Sequence, residues 1–254
     1  MRKTLAQNDI LRAIVDDVRA VPDAPATDVT VGTCLAAVSG RFCGLASLVS
    51  HIAPGLQRLS PSRETLPASA GALAASLVEP GVSGTDAASL AMAAVNALLA
   101  PPTDGTDHPG QEIMVSRCRG RKAAVVGHFP FVEELRRACA TLWVLEKRPQ
   151  PGDVDASKAP EVLPLADVVA VTGTTLVNHT LADILKYCRE DAFVVMLGPT
   201  TPFAPSLFAC GIDVLAGCAV PDPEAALAGI RAGKCFKGLD GVRQTAWARP
   251  GLDV

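Results

Sequence analysis

No block of basic residues interrupts this sequence, whose formal net charge is −3. On charge, nucleic acid and anionic membrane surfaces are therefore poor partners. No apolar run approaches the ~20 residues that span a bilayer. The start, Met1-Arg-Lys-Thr-Leu-Ala-Gln-Asn-Asp9, turns polar at once and lacks the apolar stretch of a signal peptide. A soluble, cytoplasmic protein is expected. None of the eight cysteines (34, 43, 118, 139, 188, 210, 218 and 235) forms a Cys-x-x-Cys pair. That excludes a zinc knuckle and a dithiol redox motif. Most lie in apolar segments, where reduced thiols act as small core residues; soft-metal ligation by a few of them is the alternative. A nucleophile elbow and a hydrolytic triad are also missing, which argues against covalent catalysis.

What is present is apolar bulk, 49% of 254 residues, enough for one large domain or two small ones. Leu11, Ile14, Val15 and Val18 recur at helical spacing, predicting a helix over 4–20 that Pro22 and Pro25 end. Val29 to Val38 and Phe42 to Val49 read as two strands around a Ser39-Gly40-Arg41 hairpin. Alanine-rich helices follow at 66–79 and 85–100, and their faces offer a surface on which two copies could pair as a homodimer. Helix, hairpin, then helices is an α+β layout. Pro101 to Gly110 is dense in turn residues and reads as a linker. Two units are expected, 1–108 and 109–254.

Beyond the linker, strands and helices alternate. Strands are expected at 123–127, 142–146, 167–172, 193–197 and 213–217. Helices are expected at 131–140, 180–189, 205–209 and 223–232. That rhythm gives an α/β fold with a Rossmann-like parallel sheet covered on both faces. The carboxyl ends of such strands face the ligand crevice. Asp167 to Thr180 is the most informative stretch, a valine-rich strand breaking at Gly173 into hydroxyls and an amide. It places Thr172, Thr174, Thr175, Asn178 and Thr180 at the crevice. Amides around Gly173, before a helix, would attract an anion; helix capping by Thr175, Asn178 or Thr180 is the structural alternative. Glu146 ends the second strand 19 residues after Gly127, where such folds place a carboxylate for ribose hydroxyls. Pairing with Lys147 or Arg148 is the plainer role. The first loop reads Gly127-His-Phe-Pro-Phe131 rather than G-x-G-x-x-G, which disfavours NAD or NADP and leaves room for a smaller ligand.

Several of these runs resemble one family: Val126-Gly-His-Phe-Pro130, Leu145 to Asp153, Ala166 to Asn178, Leu197-Gly-Pro-Thr-Thr-Pro202, Phe208 to Gly217, and Ala91-Met-Ala-Ala-Val-Asn-Ala97. It is the heavy-metal chelation family, first described as a domain of unknown function. The resemblance covers nearly the whole chain. It implies an enolase-N-terminal-like α+β domain ahead of the Rossmann-like domain, with a site in the interdomain cleft. It further implies a role in heavy-metal chelation or chelator synthesis. Cys34 stands where relatives usually carry an aromatic residue.

The resemblance carries over Asn96, His128, Phe129, Pro130, Glu146, Asp153, Thr174, Thr175, Asn178 and Thr200. With the crevice reading, the expected catalytic residues are His128, Asp153 and His179. The expected cofactor-binding residues are Asn96, Gly127, Phe129, Pro130, Glu146, Gly173, Thr174, Thr175, Asn178 and Thr200. No metal ligands are assigned. His51 and His108 read as surface residues. The candidate cofactors are a heavy-metal ion and a nucleoside-type ligand. Neutral hydrogen-bonding groups outnumber clustered ligands, which suits a small organic molecule better than a bare ion. The expected function is binding of a metabolite or nucleoside-type ligand, as an enzyme of chelator metabolism. Alternatives are a non-catalytic metal-binding protein and a nicotinamide-dependent oxidoreductase.

Overall fold

The computed structural model describes residues 6–49, 69–106 and 109–253. The expected starts of two helices, at residues 4 and 66, and both His51 and His108 lie outside these residues.

The amino-terminal half is an antiparallel layer under helices. Helix α1 (Gln7–Arg19) buries Ile10, Leu11, Ile14, Val15 and Val18, the stripe its periodicity predicts. Strands β1 (Asp28–Val31), β2 (Leu35–Ser39) and β3 (Cys43–Ser47) form a three-stranded antiparallel sheet in sequence order. The single strand expected from 29 to 38 is thus two strands. Gly32 breaks it: its N–H bonds Leu35 O, and a Cβ there would lie 2.6 Å from Ile230. Helix α2 (Ala70–Ala75) is capped by Ser69, and helix α3 (Asp86–Leu98) by Thr85. All but three residues of α3 are buried, so it does not present the exposed face expected for a dimer contact. Alanines let it lie directly on β3, where a Cβ at Gly44 would sit 2.2 Å from Ala93 O.

The second half opens with α4 (Gly110–Cys118), which begins at the last residue of the expected linker. Then come β4 (Lys122–Val126), α5 (Val132–Ala138), β5 (Thr141–Glu146), the short β6 (Val154–Asp155) and α6 (Ala159–Val162). They are followed by β7 (Val168–Thr172), α7 (Thr174–Val177), α8 (Leu181–Tyr187) and β8 (Phe193–Leu197). The series ends with α9 (Ser206–Ala209), β9 (Val214–Ala219), α10 (Pro223–Arg231) and β10 (Arg243–Ala248). The sheet has seven strands in the order β10-β9-β8-β7-β4-β5-β6. All neighbours are parallel except β10, which pairs antiparallel with β9. The β6-β5-β4-β7-β8-β9 run has the strand order of doubly wound nucleotide-binding sheets. β10 and α4, outside the strand–helix rhythm, and the short β6, α6 and α7 within it were not anticipated.

The parallel strands are continuous apolar runs because both faces are covered. Val168 and Ala170 of β7 face one core with Ile113, Met114 and Leu135. Val169 and Val171 face the other, which also holds Ile10, Ile14, Met92 and Leu98 of the amino-terminal helices. This second core is continuous across the expected boundary at 108/109. Among the described residues no helix is long and apolar enough to cross a membrane.

Two further ties join the halves. Helix α10 packs against β1 and β2. Cys34 and Cys235, with Cα atoms 5.2 Å apart, form a disulfide that the reading of buried, reduced thiols did not anticipate. Their 201-residue separation hides the pair in the sequence.

Candidate functional site

Strand order reverses between β4 and β7, and the carboxyl ends of such strands are where open α/β sheets take ligands. Gly127 leaves β4 with φ +103°, a conformation few other residues adopt, and a Cβ there would meet Thr172 Cγ2 at 3.3 Å. The ends of β4 and β7 therefore touch, and His128 is presented immediately beyond.

His128 Nδ1 lies 3.0 Å from Asp153 Oδ2 and 3.2 Å from Oδ1. The His128 side chain is 33% exposed and that of Asp153 is wholly buried. Asp153 Oδ2 also accepts from the Gln150 N–H at 3.0 Å. A carboxylate only accepts, so Nδ1 carries the proton in neutral His128 and Nε2 keeps its lone pair for solvent or a ligand. Asp153 thus stands behind His128. Phe129 stacks on Phe131 with centroids 5.4 Å apart and packs on the core under α5. Pro130 is exposed. Glu146 is half-buried at the end of β5, and its Oε1 accepts the Lys147 N–H.

The hydroxyl segment is largely bonded to itself. Thr172 and Thr174 share an Oγ1–Oγ1 hydrogen bond of 3.1 Å, both side chains half-exposed. Thr175, 1% exposed, donates to Thr172 O. The Gly173 N–H donates to Leu197 O and the Thr174 N–H to Thr172 Oγ1. Those amides, expected to receive an anion, are already used. Gly173 is small of necessity, since a Cβ would lie 2.7 Å from Thr201 N.

Downstream, Thr180 Oγ1 donates to Asn178 Oδ1 at 2.6 Å, and Thr180 caps α8 with no side-chain hydrogen bond. His179 follows the end of α7 with φ +57°, and the Thr180 N–H reaches back to Thr175 O. This is a left-handed helix stop of the Schellman kind. The His179 Nε2 is buried without a partner among the described residues, and burial lowers the pKa of the ring.

Thr200 and Asn96 link the layers. Thr200 Oγ1, almost fully buried, accepts the Ser47 N–H of β3 at 2.9 Å. The Asn96 amide donates to Leu45 O at 2.8 Å and Pro199 O at 3.2 Å. Both side chains bond backbone groups of the protein. Sequence reasoning passed over Thr201, whose buried hydroxyl has no partner among the described residues. Nothing in its Pro-Thr-Thr-Pro setting distinguishes it from Thr200.

A direct metal centre needs several donors brought together. Among the described residues, no three His, Cys, Asp or Glu side chains are so grouped. His128 and Asp153 alone do not fit a closed metal site.

Strand order places the chain among the doubly wound α/β proteins, with an added antiparallel layer. The chain belongs to the DUF364 family, described as "Putative heavy-metal chelation", whose profile matches residues 110–248, more than half of the chain. An uncharacterized protein of Methanocaldococcus jannaschii is 30% identical over 122 residues, which cover 46% of this chain and 47% of that protein. The match thus spans about half the length of that relative. Two solved DUF364 structures of unknown function share the fold. One, from Desulfitobacterium hafniense, has a TM-score of 0.81 at 24% identity, covering 95% of this chain and 98% of its own. The other, from Pyrococcus horikoshii, has a TM-score of 0.78 at 20% identity, covering 94% and 99%.

Proposed function

We propose that this chain binds a small metabolite or nucleoside-type molecule in the crevice at the ends of β4, β5 and β7. In this reading it acts on that molecule as an enzyme of heavy-metal chelator metabolism. The crevice belongs to the cleft between an enolase-N-terminal-like unit, residues 1–108, and a Rossmann-like unit, residues 109–254. The observation that carries the reading is the His128–Asp153 pair. A buried carboxylate fixes the imidazole so that Nε2 points away from it, as a general base requires. His128 would take a proton from the ligand, and the Thr172–Thr174 hydroxyls would hold it. Glu146 would accept a hydroxyl, as carboxylates do at that strand end. The chelator assignment rests on the family description alone.

A dinucleotide is disfavoured, because Phe129 fills the loop where second and third glycines would admit a pyrophosphate. Native mass spectrometry of untagged chain purified without chelators tests the reading. An added organic mass is expected, weakened or lost in His128→Ala and Thr174→Val proteins that remain folded. A stoichiometric metal ion with no organic mass would replace it with a metal-holding role.

A further inference from the structure

The sequence holds no Cys-x-x-Cys pair, yet the fold builds a dithiol from two cysteines 21 positions apart. Cys118 is the last residue of α4, and Cys139 directly follows α5 as its cap. An antiparallel backbone bridge joins Arg119 to Cys139, and the Gly120 N–H donates to Ala138 O at 2.9 Å. Both cysteines pack into the apolar cluster that holds Met114 and Leu135. There the Cys139 S–H donates to the Cys118 sulfur, and Cys118 Sγ donates in turn to Val115 O at 3.6 Å. Cys118 is fully buried and Cys139 half-buried. Both are free thiols, unlike Cys34 and Cys235. The bond from Cys139 holds the Cys118 thiol below its ordinary range; the same bond, with burial, raises that of Cys139. Once one proton has left, the two sulfurs share the other.

We propose that Cys118 and Cys139 are a redox-active dithiol, which a low-molecular-weight disulfide converts into a second intramolecular disulfide. Cys139, the member that solvent reaches, is the point of entry. With the shared proton on Cys118, the Cys139 sulfur attacks one sulfur of the oxidant RSSR. An S–S bond forms to Cys139, and RS− leaves and takes up a proton. The Cys118 sulfur then loses its proton and attacks the Cys139 sulfur, expelling the second RS−. Two protein thiols are oxidised, and one RSSR is reduced to two RSH. The backbone bridge already holds the two segments together, so closure asks for little movement of the chain. The ring so closed, residues 118–139, contains β4, the loop bearing His128, and α5. Oxidation therefore ties both ends of the segment that presents His128.

Exposure of the full chain to oxidised glutathione tests this. The reaction is quenched with acid, the chain unfolded and alkylated, and its digest read by mass spectrometry. The parent is expected to lose two alkylatable thiols and to yield a peptide linked through Cys118 and Cys139. Those two should react about tenfold or more faster than Cys43, Cys188, Cys210 and Cys218. Dithiothreitol should restore both. Cys118→Ala should stop at the first step, with one glutathione on Cys139. Cys139→Ser alters the half-buried member and spares the packed one; it should leave Cys118 alkylatable. Cys118 and Cys139 still alkylatable in the parent after prolonged exposure would overturn the proposal. So would linkage of either to a different cysteine, or a folded Cys118→Ala chain that takes no glutathione on Cys139.

Discussion

His128 Nδ1 stands 3.0 Å from the buried carboxylate of Asp153, tying the loop after β4 to a turn 25 residues on. The pair predicts a tautomer. Neutral His128 should carry its proton on Nδ1, seen in the nitrogen shifts of the labelled ring. Asp153→Ala removes both oxygens that face Nδ1. The proton should then move to Nε2 and any base activity should fall. Unchanged nitrogen shifts in that variant would remove Asp153 as the positioning group.

Close backbone approach predicts intolerance of one methyl group. Gly44→Ala would drive a Cβ to within 2.2 Å of Ala93 O and Ala97 N on α3. Overpacking of this kind costs about 1–3 kcal/mol, so the urea midpoint should fall accordingly. Gly173→Ala strains a gentler contact, 2.7 Å to Thr201 N, but at the crevice. It should lower ligand affinity as well as stability.

The Cys34–Cys235 disulfide predicts a thiol count. Unfolded without reductant, the chain should titrate six thiols, those of Cys43, Cys118, Cys139, Cys188, Cys210 and Cys218. After reduction it should titrate eight. The loop closed is long, so Cys34→Ala should destabilise by about 2–4 kcal/mol under oxidising conditions. A count of eight before reduction would mean the two thiols are unbonded in solution.

How much of this was legible beforehand follows from where the information sits. The rhythm of β4, β5, β7, β8 and β9 is written locally, in apolar runs and turn residues, and so were His128, Asp153 and the threonine cluster; the two-residue β6 is too short to show. What escaped depends on distance in the chain. Gly32 looks like an ordinary residue within an alternating strand until Ile230 is packed against it. Cys34 has no neighbouring cysteine to suggest Cys235. β10 pairs antiparallel at an edge, outside the pattern that signals its neighbours. The threonine segment was read as open to a ligand because composition does not reveal which hydroxyls bond each other. Thr175 is buried and bonded to Thr172 O, while the half-exposed Thr172–Thr174 and Asn178–Thr180 pairs are each bonded within themselves.

His179 separates a structural from a chemical role through pH. Its backbone is left-handed at φ +57°, the place in a helix stop that glycine fills most readily. If the residue serves only the turn, His179→Gly should fold as well as the parent and keep its ligand. The imidazole adds a second signature. Burial lowers its pKa from the usual 6.5, so the folded chain resists protonating it while the unfolded chain does not. The unfolded state then binds more protons as pH drops below about 6.5, and stability must fall with it. His179→Gly removes that group, so its unfolding free energy should lose less than the parent's between pH 7 and pH 5. The comparison needs only denaturant titrations at the two pH values. Equal losses in both proteins would mean that His179 is as accessible to protons folded as unfolded, and the unpartnered Nε2 would then be in contact with solvent.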